Sequence, residues 1–146
     1  MSHNLFDTFA ARMRDRGDAD FITTREGRRY SYRYAWGASA RLAGALTELG
    51  VTPGDRVAVQ VDKSPEAILL YLACLRMGGV YLPLNTGYTA DEIRYFLSDA
   101  EPALFVCRPA ALDEARTVAG ESGCPAVETL GTDADGSLMD LAQRTA

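Results

Sequence analysis

The spacing of apolar residues changes period several times along the chain, and each change predicts an element. Leu5, Phe6, Phe9 and Met13 recur at helical spacing, which predicts a short amphipathic helix over residues 4–16 with Asn4 as its N-cap. Phe21-Ile22-Thr23-Thr24 and Arg29-Tyr30-Ser31-Tyr32 flank Glu26-Gly27 and predict a β-hairpin. Ser31 is placed to cap a second helix running to about Leu49, with Trp36, Ala40, Ala43 and Leu46 apolar and Gly50 where a left-handed end is wanted.

Strands and helices then alternate. Pro53-Gly54-Asp55 is a turn, and Arg56 to Asp62 a strand. Ser64-Pro65-Glu66 opens a helix with a cap, a proline at the first position and an acid in the first turn. Through Met77 that helix is apolar almost all round, which predicts burial on more than one side. Arg76 complements its macrodipole, Gly78-Gly79 stop it, and Val80-Tyr81-Leu82-Pro83-Leu84 follow as a strand whose proline marks an end or an irregularity. Thr89-Ala90-Asp91-Glu92 is a capping box opening a helix with Ile93, Phe96 and Leu97 on one face. Pro102–Cys107 predicts a strand, Ala110–Gly120 a helix, Ala126–Leu130 a strand, and Asp133–Gly136 a turn into a last helix from Ser137. The pattern specifies the α/β class: a mostly parallel βαβ sheet flanked by helices, with an N-terminal helix and β-hairpin.

Composition narrows the partners. The 146 residues suffice for one domain with a real core, and 47% hydrophobic against 24% charged residues is a globular balance. A net charge of −5 and no arginine or lysine stripe argue against nucleic acid or an anionic membrane as partner. The N-terminus lacks the pattern of a secretory signal, and the longest apolar run, Ala67 to Leu75, is far below the ~20 residues that span a bilayer. Cys74, Cys107 and Cys124 are odd in number and widely spaced, so they read as buried thiols in a reducing cytoplasm.

Candidate chemistry is thin. Asp62-Lys63-Ser64 lies past a strand end and opens a helix, where an anion can bind, but a capping serine in a βα loop explains every residue. Gly78-Gly79 follow a helix and precede a strand, the reverse of a phosphate-binding loop. Asp133, Asp135 and Gly136 resemble part of a calcium loop whose first and twelfth positions would be Gly131 and Ala142, neither with a side-chain oxygen. His3 is the single histidine and sits at the terminus, and the cysteines lack metal spacing. Trp36, Tyr81, Tyr88 and Tyr95 read as core or half-buried packing. No residue is assigned a catalytic, cofactor-binding or metal-ligating role.

Several ordered segments nevertheless resemble a known family. Leu75-Arg76-Met77-Gly78-Gly79-Val80-Tyr81-Leu82-Pro83-Leu84-Asn85 is similar to the second core motif of the AMP-forming adenylating enzymes, typically L-K-A-G-x-A-Y-V-P-I-D. Tyr30-Ser31-Tyr32 with the Ala35–Leu46 helix resembles the first, usually T-Y-x-E-L, with Tyr34 in the glutamate position. Lys63-Ser64-Pro65-Glu66 with Tyr71–Leu75, Leu82–Thr89 and Asp99-Ala100-Glu101-Pro102 look most like the malonyl-CoA synthetase branch, including Asn85 for the commoner aspartate.

The resemblance implies that residues 1–146 are a partial N-terminal AMP-binding domain of an acyl-CoA synthetase, ending before the phosphate-binding loop. It implies ATP, Mg and CoA as cofactors, and malonate or another small carboxylic acid as substrate, for a full-length relative. The family's Ser/Thr/Gly-rich phosphate loop is not matched anywhere from Met1 to Ala146, so the segment alone is expected to be inactive. Uncovered apolar surface is expected to make it marginally stable or self-associating. Two other readings stay open: a non-catalytic interaction domain on the ligase scaffold, and a small flavodoxin-like nucleotide-binding domain with its site at a strand-end crevice.

Overall fold

The computed structural model describes residues 4–145; His3 lies outside them. Helix α1 (Leu5–Arg16) starts as its sequence dictates, with the Asn4 side chain accepting from the Phe6 N–H at 2.8 Å. Strands β1 (Asp20–Thr23) and β2 (Arg29–Ser31) form the antiparallel hairpin, turned at Gly27 with φ +87°. Ser31 Oγ accepts from the Tyr34 N–H and caps α2 (Tyr32–Glu48). At its other end the Gly50 and Val51 N–H groups donate to Thr47 O and Leu46 O, the paired closure that a left-handed glycine permits.

The main sheet contains β3 (Arg56–Gln60), β4 (Val80–Pro83), β5 (Leu104–Cys107) and β6 (Val127–Thr129), all parallel, in the order β4-β3-β5-β6. Helices α3 (Pro65–Met77), α4 (Ala90–Ala100) and α5 (Leu112–Ser122) are the crossovers, and α6 (Ser137–Arg144) follows β6. Alternation along the strands builds two cores. Val57, Val59, Leu104 and Val106 pack with α1, α2, α3 and α6, whereas Ala58, Phe105 and Cys107 pack with α4 and α5. The sheet is therefore covered on both faces. Its winding reverses at β3, giving a switch point between the carboxyl ends of β3 and β5.

Tertiary packing corrects two expectations, the start of α5 and the burial of Tyr95, and adds detail to two others. The predicted helix from Ala110 begins instead with a 3-10 turn, Pro109–Ala111, and α5 proper starts at Leu112. Helix α3 is buried on more than one side, with Leu69, Leu70, Leu72, Ala73 and Cys74 inside, while Ile68 is 43% exposed. Arg76 sits in the last turn of α3, where a cation complements the macrodipole, and also reaches across to α2. Its guanidinium sits 4.3 Å from the Trp36 ring centre and 5.0 Å from that of Phe6, and donates to Trp36 O. Tyr95, expected to be packed, is 65% exposed.

Candidate functional site

The helix-stop-strand passage is held by backbone, not by a ligand. Gly78 takes φ +84° and its N–H donates to Leu75 O, the Gly79 N–H donates to Cys74 O, and the Val80 N–H reaches Asp55 O. Pro83 ends an edge strand, the position that tolerates a residue without an N–H. Asp62 and Lys63 are exposed, and Ser64 Oγ is engaged by the Ala67 N–H. Asp133 and Asp135 lie on an exposed turn, where Asp135 Oδ1 accepts from the Asp133 N–H. Among the described residues no group of three or more His, Cys, Asp or Glu is arranged to hold a metal ion.

At the switch point the buried Gln60 donates through Nε2 to Asn85 O at 2.9 Å, tying the loop after β4 to β3. A cavity of about 50 Å³ lies beside it, lined by Gln60, Tyr88, Phe105, Arg108 and Glu114. A wider depression of about 540 Å³ adjoins it, with Asp62, Arg108, Glu114 and Asp135 on its walls. Arg108 Nε is buried without a hydrogen-bond partner. One guanidinium among three carboxylates is a poor seat for a polyphosphate, because the acids repel what the arginine attracts.

A wider concavity lies elsewhere. A groove of about 1020 Å³ runs between the β1–β2 hairpin and the N-terminal half of α3, floored by Ile22, Ile68, Tyr71 and Tyr81. Two polar contacts fix its walls. Tyr30 Oη donates to Glu66 Oε1 at 3.1 Å, and Arg28 pairs with Asp133 at 3.4 Å. Glu66 is 1% exposed and its Oε2 has no partner. Burial and the neighbouring Glu66 charge push the Tyr30 hydroxyl pKa up. In the sequence Glu66 is only an acid in a first helical turn. Nothing local signals that it meets a tyrosine on the hairpin.

The cysteines are all free and buried. Burial pushes Cys74 up to about 12 and Cys107 up to about 11, which makes them inert packing thiols.

Among the described residues, none of these three concavities carries the constellation of an active site, and the family is shown by likeness to known proteins. The chain is 37% identical over 99 residues to tyrocidine synthase 1 of Brevibacillus parabrevis, covering 68% of this chain and 9% of that protein. It is 43% identical over 67 residues to acetyl-coenzyme A synthetase of Streptomyces avermitilis, covering 46% and 10% respectively. Its fold superposes on the crystal structure of ATP-bound MatB from Rhodopseudomonas palustris with a TM-score of 0.91 at 45% identity, over 98% of this chain and 28% of that one. The chain thus spans a minor part of the proteins it matches. The family profile described as AMP-binding enzyme matches residues 9–144, nearly the whole length, and the chain belongs to that family.

Proposed function

We propose that this chain is the scaffold-forming N-terminal part of an ATP-dependent acyl-CoA synthetase that activates malonate, with the activation itself performed by residues outside it. The observation that carries the reading is the superposition on ATP-bound MatB at 45% identity over 98% of the chain. The malonate assignment rests in addition on the Lys63–Glu66, Leu82–Thr89 and Asp99–Pro102 segments, which resemble the malonyl-CoA synthetase branch.

The residues present do not fit ATP and Mg. Gly78 and Gly79 end a helix instead of opening one, and the strand-end depression presents three carboxylates to any phosphate. No step of adenylation or of transfer to CoA is therefore assigned to residues 4–145. A reducing compartment such as the cytoplasm suits three free, buried thiols. Alone, the chain is expected to be marginally stable or to self-associate through uncovered apolar surface.

An ATP–pyrophosphate exchange assay with malonate tests both halves of this reading. The purified 146-residue chain should stay at blank. A chimera carrying residues 1–146 in place of the matching segment of MatB should keep that enzyme's exchange. Turnover by the isolated chain would sink the claim of inactivity, and a folded but inactive chimera would sink the ligase reading.

A dedicated interaction domain is the second reading, favoured by the hairpin–α3 groove; a clean stop with no ligase sequence downstream would select it. The flavodoxin-like alternative has the matching strand order at the switch point. It requires saturable micromolar binding of ATP, AMP or FMN, against which the acidic crevice argues.

A further inference from the structure

The two faces of the main sheet carry opposite charge. Residues 4–33, which supply α1 and the hairpin, hold seven arginines against five acids. Residues 90–122, which supply α4 and α5, hold seven acids against three arginines. Helix α1 packs with α2 and α3 in one core, while α4 and α5 build the other. The basic and acidic patches therefore lie on opposite sides of the molecule and cannot meet within it.

Each patch has an ordered centre. On α4, Asp91, Tyr95 and Asp99 follow one another at intervals of one helical turn and form an exposed row. Tyr95 is 65% exposed, its ring held edge-on against Phe96, which in turn stacks on Tyr88. Asp99 makes no ion pair among the described residues. Asp91 pairs with Arg94 yet keeps its side chain 94% exposed, and Glu92 is engaged in the capping box. On α1, Arg12 and Arg16 are likewise one turn apart, exposed, and without an ion pair among the described residues. Leu5, 49% exposed, lies on the same side of that helix; Arg14 adds to the positive end and Asp15 subtracts from it.

We propose that the Arg12–Arg16 face of α1 docks on the Asp91–Tyr95–Asp99 face of α4 in a second copy of this chain. The spacings match: with one arginine over the Tyr95 ring, the other, a turn away, reaches Asp99. The chain makes the same kind of contact internally, where the Arg76 guanidinium lies 4.3 Å from the Trp36 ring centre. A second copy is the occupant because one chain carries both complementary halves and cannot join them itself. The contact is head-to-tail. It leaves a free α1 at one end and a free α4 at the other, so assembly does not stop at two. The inference is independent of the ligase reading. It also differs from association through apolar surface, because sodium sulfate screens an ionic contact but strengthens apolar burial.

Sedimentation equilibrium of the purified chain tests it at about 1 mM, the range in which contacts this weak are populated. At an ionic strength of about 0.01 M the average mass should rise with concentration past that of a dimer, and in sodium sulfate at about 1 M it should return to the monomer, as the screening length falls from about 30 Å to about 3 Å. Arg12→Ala with Arg16→Ala, or Tyr95→Ala with Asp99→Ala, should weaken association at least about tenfold. All four positions are exposed, and circular dichroism checks that each variant is folded. Mixing the two double variants should restore one contact and stop at a one-to-one dimer, since each supplies the half that the other lacks. A monomer at low ionic strength, association that persists or grows in sulfate, or association untouched by either double variant would overturn the proposal. So would a mixture that stays monomeric or grows beyond the dimer.

Discussion

Tyr30→Phe isolates the buried contact that joins the hairpin to α3. The substitution leaves the ring and removes one hydroxyl, whose bond to Glu66 Oε1 is 3.1 Å long. Glu66 is 1% exposed and already has one unbonded oxygen, so the variant leaves a buried carboxylate with no partner at either oxygen. A hydrogen bond to a charged group contributes about 1.5–3 kcal/mol, and the stranded acceptor places the loss toward the top of that range. Tyr30→Phe should therefore destabilise the chain by about 2–3 kcal/mol, a fall in Tm of roughly 5–10 °C for a domain of this size.

The partner variant gives the mechanism its signature. Glu66→Gln keeps an acceptor for Tyr30 but removes the buried charge, so Tyr30→Phe made in that background should cost only about 1 kcal/mol. Urea unfolding followed by Trp36 fluorescence measures all four proteins of the cycle. An ultraviolet titration gives a second readout: Glu66→Gln should lower the raised Tyr30 pKa, since the Glu66 charge is one of its causes. A single Tyr30→Phe loss below about 0.5 kcal/mol, or equal losses in the two backgrounds, would refute the reasoning.

Three further outcomes follow from backbone and burial. Gly78→Ala should cost about 1–2 kcal/mol, because φ is +84° there and the new Cβ would lie 3.3 Å from Pro53 Cβ. Gly37→Ala, inside α2 with only the flexible end of Arg41 nearby, should gain about 0.5–1 kcal/mol, so urea midpoints moving in the same direction would contradict the distinction. Stability should also be pH-dependent on the alkaline side. Burial pushes the Cys74 thiol up from 9.0 to about 12, so its contribution is complete below pH 9 and is lost progressively as pH rises from 9 through 12. Urea midpoints that hold steady from pH 8 to pH 11 would show that this thiol is not buried as described.

Much of the fold is legible locally because its signals act over three or four residues. Asn4, Ser31, Ser64 and Thr89 each cap the helix predicted for them, Thr89 with the reciprocal Glu92 bond. The helix stop at Gly78 and the proline on an edge strand are likewise consequences of backbone sterics. Helix α5 starts two residues after the predicted Ala110 because Pro109 first makes a tighter turn, a choice between two local geometries that composition does not separate.

What the sequence alone determined was the succession of elements, the parallel α/β class and, through the Leu75–Asn85 passage, the family. Only the tertiary structure decided which side chains meet. It brought Tyr30 to Glu66 across 36 residues, stacked Arg76 against Trp36 and Phe6, left Tyr95 and Ile68 in the open, and shaped the groove between the hairpin and α3. The division has a physical cause. Caps and turns are fixed by interactions between neighbours in the chain, whereas burial and pairing depend on how the β4-β3-β5-β6 order stacks distant helices on each face of the sheet.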